Sequence, residues 1–396
     1  MFGALEPALP DSILGVIEAF RSDSRPEKIN LSVGVYQDEN GRTPTLACIA
    51  EAERRLAAAG EEKPYLPIPG LRDFTEAIER LVFGDDSPAL AEGRTATAQT
   101  PGGTGALRVA ADFLHKAFPN SSVWMSKPTW PNHQGVFRAA GWHIEAYPYY
   151  DPNTHGIDFA NMRQGLASAQ AGDVVLLHGC CHNPTGADLS IPQWEELASI
   201  FAERQLLPLI DFAYQGFGRG LEEDAEAVRL LAASGREVLV TASLSKNFGM
   251  YCERVGALSV VTKDTGQAAT VMSRLKETIR GNYSNPPAHG ARAVATALGD
   301  KGLRGQWLEE LTTMRDRING MRKLFVETMR AKAPQVDFSF IERQLGMFSF
   351  SGLTRGQVAA LREKHAVYII DSGRINVAGM NAGAMDRLCS AVADVL

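Results

Sequence analysis

Ser243, Ser245 and Lys246 stand close together in TASLSKNFG (241–249), and their types and spacing admit two chemistries. S-x-x-K sets a serine beside a lysine, the arrangement of one class of serine acyl-transfer sites, with Ser243 as nucleophile. A lysine amine can instead condense with a carbonyl, the serines holding an anionic group nearby. The plain reading is a strand that ends in a polar turn, with Lys246 solvated. The companion motifs of the serine enzymes, S-D-N, K-T-G and G-x-S-x-G, are absent from the chain, which counts against the nucleophile.

Other reactive side chains recur just past apolar runs. Pro101-Gly102-Gly103-Thr104-Gly105 opens a helical pattern, so backbone N–H groups, a hydroxyl and a helix dipole could face a phosphate. The pattern is neither G-x-G-x-x-G nor a Walker loop, and taken alone it reads first as a plain tight turn. KPTWPNH supplies Trp130 and His133, CCHNPTG supplies Asn183, and DFAYQGFGRG supplies Asp211 and Tyr214. Arg254 follows Lys246 by eight residues. Each has a bland reading: a helix cap for Asp211, core for Trp130, a satisfied histidine for His133. Their recurrence at strand ends is harder to dismiss. HGCCH (178–182) raises a metal site, but its spacing matches no zinc pattern. Adjacent Cys180 and Cys181 should also point to opposite sides, which makes them small buried hydrophobes by default.

The elements that must position these residues read as strands at 122–126, 173–179, 206–213 and 237–245, almost continuously apolar, as strands covered on both faces should be. Between them Trp194, Leu197, Ala198 and Phe201 fall on one helical face behind a capping box at Ser190 and Gln193. After the glycine loop, Leu107, Ala110, Phe113 and Leu114 should face inward. Strand–helix alternation predicts an α/β fold with a mostly parallel sheet, whose ligands gather beyond the carboxyl ends of its strands. The last stretch changes character: a long helical pattern, short strands at 347–352 and 366–379, and a closing helix. A smaller α/β domain is expected from 1–43 and 314–396, with strand-like INLSVGVY (29–36) packing beside it, and a large domain over 44–313.

The 396 residues allow a sizeable core, and a net charge of -6 argues against non-specific nucleic-acid binding. Five cysteines, an odd number, suggest a reducing compartment. The N-terminus lacks a basic and apolar leader pattern, and no run is long and apolar enough for a membrane span. A cytoplasmic protein is expected, with no nucleic-acid or membrane partner and no metal.

The blocks TPGGTGALRVAADF, HGCCHNPTG, DFAYQGF, SKNFG, ERVGAL, NYSNPPAHGA and GMFSFSGL run in order along nearly the whole chain. They resemble the fold-type-I aminotransferases that use pyridoxal 5'-phosphate, in particular the bacterial aspartate and aromatic group. The resemblance implies a large domain with a mostly parallel seven-stranded sheet and a smaller α/β domain. It implies that Lys246 forms the Schiff base with the cofactor. Gly103, Thr104, Ser243 and Arg254 hold the phosphate, with Tyr65 reaching it from a partner subunit. Asp211 pairs with the ring nitrogen, Asn183 and Tyr214 with the phenolic oxygen, and Trp130 stacks on the ring, while His133 supports Asp211. Arg374 grips the substrate α-carboxylate, and Gly34, Trp130 and Asn183 line the substrate site. Arg280 takes the distal carboxylate across the subunit boundary of a homodimer with shared active sites. Lys246, Asp211, Tyr214 and Trp130 are then the catalytic set.

Thr43, Thr104 and Asn285 look like the aspartate type, whereas Ser32, Pro64 and the YLPIPG loop depart from it, Ser32 and the loop leaning toward the aromatic type. Transfer from aspartate to 2-oxoglutarate is expected, with a ping-pong mechanism. Aromatic donors are the alternative, and a non-catalytic binding protein on the same fold is the rival class.

Overall fold

In the computed structural model, Phe2, Glu6 and residues 12–396 are described, so most of the first eleven residues of the expected small domain lie outside the described residues. The predicted apolar runs become neighbouring strands of one seven-stranded sheet. Its members are β1 (Thr95–Pro101), β2 (Ser122–Lys127), β3 (His143–Pro148), β4 (Val174–His178), β5 (Leu207–Phe212), β6 (Val238–Ser243) and β7 (Val255–Val261). They lie side by side as β1-β7-β6-β5-β4-β2-β3. Pairings from β6 through β3 are parallel, while β7 is antiparallel to both β6 and β1.

Direction decides where the chemistry gathers. Two antiparallel steps restore the original sense, so β1 runs the same way as β6. The carboxyl ends of β1, β2, β4, β5 and β6 therefore share one rim, and reversed β7 brings its beginning, just after Arg254, to that same rim. The sequence reading did not pick out β3 or β7. The latter is wholly buried, with Gly256 fitting a crowded crossing where a Cβ would stand 2.6 Å from the Gly102 carbonyl carbon.

Helices cover both faces, as the continuous apolar strands require. The helix Gly102–Ala117 buries Leu107, Ala110 and Leu114, although Phe113 is only partly covered. Ile191–Arg204 buries Trp194, Leu197 and Phe201 behind the expected Ser190/Gln193 capping box, with Ala198 at the margin. The 32-residue helix Lys301–Lys332 is continuous past residue 313 and carries the chain from the sheet toward the short C-terminal strands. There Phe348–Phe350 pairs antiparallel with Arg374–Asn376, and Ile29–Asn30 pairs parallel with Val367–Tyr368.

Only two residues of the expected 29–36 strand join a ladder: Leu31 still bonds to the backbone of Tyr368 and Asn376, but beyond it side chains take over. Asn376 Nδ2 donates to the Val33 and Val35 carbonyls at 2.6 and 2.8 Å, and the Tyr36 N–H donates to Tyr251 Oη at 2.9 Å. That segment is thus a shaped loop against Arg374–Asn376.

Candidate active site

Six elements end at one cavity of about 240 Å³, lined among others by Gly34, Gly103, Thr104, Trp130, Asn183, Asp211, Tyr214, Ser243, Lys246, Arg254 and Arg374. Eleven of the thirteen residues expected to meet cofactor or substrate are there, with His133 just behind Asp211. The exceptions are Tyr65 and Arg280. Tyr65 is 90% exposed in a neighbouring surface groove, and exposed Arg280 donates to Ser284 Oγ.

One end of the cavity is built for an anion. Gly102 opens the 16-residue helix after β1 with φ +72°, and a Cβ there would stand 2.5 Å from an Arg254 Nη2. A Cβ on Gly103 would come within 2.9 Å of Ser243 Cβ. The bare backbone lets the helix N-terminus, Thr104, Ser243 and Arg254 converge. Arg254, itself at φ +56°, donates to Ser245 Oγ at 3.2 Å and to the Tyr251 carbonyl at 2.9 Å. Ser243 Oγ lies 3.2 Å from Ser245 Oγ. Two hydroxyls, a guanidinium and a helix dipole together suit a phosphate.

At the centre, Asp211 projects from β5 and accepts from His133 Nε2 at 2.8 Å, while His133 Nδ1 meets Thr129 Oγ1 at 2.7 Å. Burial pushes the Asp211 carboxyl up, but the His133 bond and the nearby positive groups outweigh it and leave it below its ordinary value. An ionised carboxylate therefore faces the cavity. His178, beside it, is driven down to about 3, chiefly by burial and then by His133, and is neutral. Trp130 stands at the entrance of the helix Pro131–Ala139, edge-on to His133 at 5.3 Å between centroids.

Lys246 Nζ lies 4.6 Å over the Tyr214 ring. Burial pulls its amine down to about 8, Asp211 opposing and Arg254 reinforcing the shift. The side chain is only partly covered because it opens into the cavity. At pH 7.5 an amine of pKa 8 is neutral in roughly a quarter of molecules, against about one in a thousand for an ordinary lysine. Tyr214 is pushed well above its usual range, by burial first and by Asp211 second, so it stays protonated; it accepts a long 3.5 Å bond from Asn183 Nδ2.

Across the cavity, Arg374 donates to the Ser32 carbonyl at 2.7 Å, approaches Asn183 Oδ1 at 3.5 Å, and has its Cζ 4.4 Å from the Phe348 ring. Gly34 fits because a Cβ there would already touch Phe348 at 3.1 Å. Tyr251, Phe348 and His178 also line the site and were not singled out from sequence. Tyr251 follows SKNFGM closely, so proximity to Lys246 was its available signal; Phe348 arrives from a distant short strand.

One sequence expectation fails here. Cys180 and Cys181 do not diverge: their sulfurs and an Asp224 carboxylate oxygen lie within 4.8 Å of one another. Cys181 adopts φ +53°, which breaks the strand alternation that would have separated them. Asp224 nonetheless spends its oxygens on the N–H groups of Gly216, Gly218 and Arg219, and burial drives both thiols up. Neutral thiols beside an already bonded carboxylate are poor metal ligands.

The sequence matches the family described as "Aminotransferase class I and II" over residues 26–392. The chain belongs to that aminotransferase family. It is 53% identical to an aspartate aminotransferase of Salmonella typhi over 396 residues, covering all of both chains. It is also 46% identical to an aromatic-amino-acid aminotransferase of Escherichia coli K12, again covering all of both. Among solved structures, an aromatic-amino-acid aminotransferase from Burkholderia pseudomallei, covalently bound to pyridoxal phosphate, superimposes with a TM-score of 0.98 at 48% identity, covering 100% of this chain and 99% of that one. The fold is that of the fold-type-I aminotransferases, and the cofactor is pyridoxal phosphate. The donor set fits it: an anion cradle at a helix N-terminus, an ionised carboxylate in the middle, a reactive amine and an aromatic plate.

Proposed function

We propose that this aminotransferase moves the amino group of aspartate to 2-oxoglutarate, giving oxaloacetate and glutamate in two half-reactions. The observation that carries the reading is one cavity holding a softened amine at Lys246, an anion at Asp211 and a guanidinium at Arg374. When bound, pyridoxal phosphate supplies an aldehyde that condenses with amines and a ring that accepts the electron pair left at the substrate Cα. The chain does the rest. Gly103, Thr104, Ser243 and Arg254 hold the phosphate, and Asp211, oriented by His133, keeps a proton on the ring nitrogen. Asn183 and Tyr214 serve the ring's phenolic oxygen, and Trp130 covers one ring face. Lys246 would supply the amine that anchors the aldehyde and would carry the proton taken from Cα. Arg374 takes the α-carboxylate in a bidentate fork beside Gly34, Asn183 and Trp130.

Tyr65 and Arg280 are proposed to complete the site of a second subunit, Tyr65 at the phosphate and Arg280 at the distal carboxylate. Their exposure outside this chain's own cavity supports that arrangement, a homodimer with shared sites. We further assign residues 1–43 and 314–396 to a small domain and 44–313 to the large one. A cytoplasmic location is supported by five free cysteines, four of them buried. No helix of the described residues is long and apolar enough to cross a membrane.

Aspartate is tested by adding it to the purified, yellow protein: the cofactor absorbance should shift and oxaloacetate should accumulate once 2-oxoglutarate is present. No spectral response to any amino acid would leave a non-catalytic binding protein. Aromatic donors are the second reading, favoured by the 46–48% identity to aromatic-amino-acid aminotransferases. Arg280 separates the two. Charge-assisted hydrogen bonds are worth about 1.5–3 kcal/mol, so Arg280→Leu should lower kcat/KM for aspartate about 10- to 150-fold. Phenylalanine carries no distal charge and should lose little. Arg374→Leu should damage both alike; equal losses from Arg280→Leu would make Arg280 structural.

The cradle has its own test. A methyl on Gly103 meets Ser243 Cβ at 2.9 Å, well inside ordinary carbon contact. Overpacking of about 1–3 kcal/mol predicts cofactor retention weakened at least about fivefold in Gly103→Ala, read by dialysis and absorbance. Unchanged retention would remove Gly103 from the phosphate site.

A further inference from the structure

Behind the cavity wall lies a buried cation that the proposed reaction does not use. Arg322, on the helix Lys301–Lys332, is 1% exposed. Its Nη1 donates to the Ile341 carbonyl at 3.0 Å and to Ser349 Oγ at 2.5 Å. Its Nη2 donates to the carbonyls of Gly346 at 2.6 Å and Phe348 at 2.8 Å. Among the described residues, no carboxylate oxygen lies within 4.0 Å of its nitrogens. Burial pulls the guanidinium down only to about 10, and it remains charged at neutral pH.

With no carboxylate in direct contact and only Asp188 acting from farther off, this buried charge is a costly way to satisfy three carbonyls, and stability alone gives little reason to keep it. Its fork spans a segment that touches the site twice. Phe348, whose carbonyl it holds, lies on the Arg374 guanidinium and against Gly34. Leu345 N–H donates at 2.7 Å to the carbonyl of Gly186, in the loop that carries Asn183. Gly186 has φ +71° and no room for a Cβ, which would stand 2.5 Å from the Phe348 oxygen. Phe348 also pairs in register with Asn376, whose side chain holds the 33–35 loop. Phe348, the loop that carries Asn183 and the 33–35 loop, all beside Arg374, are thus tied to one strand segment, and that segment to Arg322.

We propose that Arg322 is a positioning residue, fixing through the 346–349 segment where Phe348 and Arg374 meet the α-carboxylate of the amino donor. The proposal rests on the amino-acid-binding reading above. The electrostatic shape of a fork matters here: a lysine in the same place keeps the charge but makes fewer directed bonds.

The test is Arg322→Lys in the cofactor-loaded enzyme, with aspartate and phenylalanine as donors and succinate titrated calorimetrically as a non-reacting carboxylate. KM for both donors and the succinate Kd should rise about 10-fold, with kcat and cofactor content within about twofold of wild type. A tenfold rise corresponds to about 1.4 kcal/mol lost at Arg374. Unchanged KM and Kd would overturn the proposal, as would kcat, cofactor content and melting temperature falling together while KM held. If Arg322→Lys does not fold, Ser349→Ala decides. It deletes one of the four bonds and should raise KM and Kd about threefold, whereas no rise would refute the role. A wild-type protein that failed to transaminate would sink the proposed function instead, and the succinate titration would still decide on Arg322.

Discussion

Lys246→Ala is expected to abolish amino transfer, with kcat at least about 10⁴-fold down, while the protein folds and still takes up pyridoxal phosphate without a covalent bond. The expected loss is large because one side chain has two proposed jobs, bonding the aldehyde and moving the Cα proton. Non-covalent uptake should survive because Gly103, Thr104, Asp211 and Trp130 sit on other elements and Ser243 and Arg254 keep their side chains. Removing the amine should not weaken the cofactor-free fold near neutral pH. Its folded pKa, about 8, lies below the ordinary 10.5, so the unfolded chain binds the extra proton between those values. By that sign, Lys246 costs stability below about pH 8, and the cost fades as pH rises toward 10.5. Cofactor-free Lys246→Met should therefore melt above wild type at pH 7, with the gap closing by pH 10. Residual turnover near wild type in Lys246→Ala would give the role to another base, and ester hydrolysis through Ser243 would restore the acyl-transfer reading of S-x-x-K.

Much of this site was legible because chemistry and topology are both periodic in the sequence. Strands β2, β4, β5 and β6 announce themselves as apolar runs, and in a parallel sheet the residue after each run must reach the same rim. Trp130, Asn183, Asp211, Tyr214 and Lys246 follow from that rule without any coordinates. Arg254 does not, because it precedes β7, and the reversal of β7 depends on pairing that no local pattern encodes. Phe348 was hidden for a related reason: it packs against Gly34, more than 300 residues away in the chain. The way Ser32 acts, through its carbonyl on Arg374, was hidden likewise. The extended 29–36 pattern misled because from Val33 on its backbone partners are the side chains of Asn376 and Tyr251, which secondary-structure propensity does not see. Cys181 shows a smaller version of the same limit. Alternation holds only while φ stays negative, and one left-handed residue turned two diverging thiols into neighbours.

Asp211→Ala should lower kcat by roughly 10²- to 10³-fold, the range for removing one preorganised charge from an active site, although the carboxylate is assigned no contact with the amino acid. Asp211 is placed for the task by three constraints. Its backbone is locked in β5 between His178 and Thr241, its Oδ2 is held by His133 at 2.8 Å, and His133 is held in turn by Thr129. An ionised Asp211 can only accept, so His133 Nε2 is the donor in their bond. Without that anion, a pyridinium proton is lost near neutral pH and the ring draws electrons less strongly. Asp211→Asn, which keeps the shape and loses the charge, should be nearly as damaging as Asp211→Ala. Asp211→Glu should recover much of the rate. His133→Ala, which removes the support and not the charge, should cost only about tenfold, the scale of one charge-assisted hydrogen bond. The pH dependence separates charge from shape. Because Asp211 is held below its ordinary 3.8, its contribution persists above that value and is lost only as pH falls through the depressed one. Wild-type kcat between pH 5 and 9 should accordingly show no titration from Asp211. In Asp211→Asn, kcat should fall as pH rises, because the ring proton is no longer held. A flat profile in that variant, with full activity, would mean that another carboxylate serves the ring nitrogen.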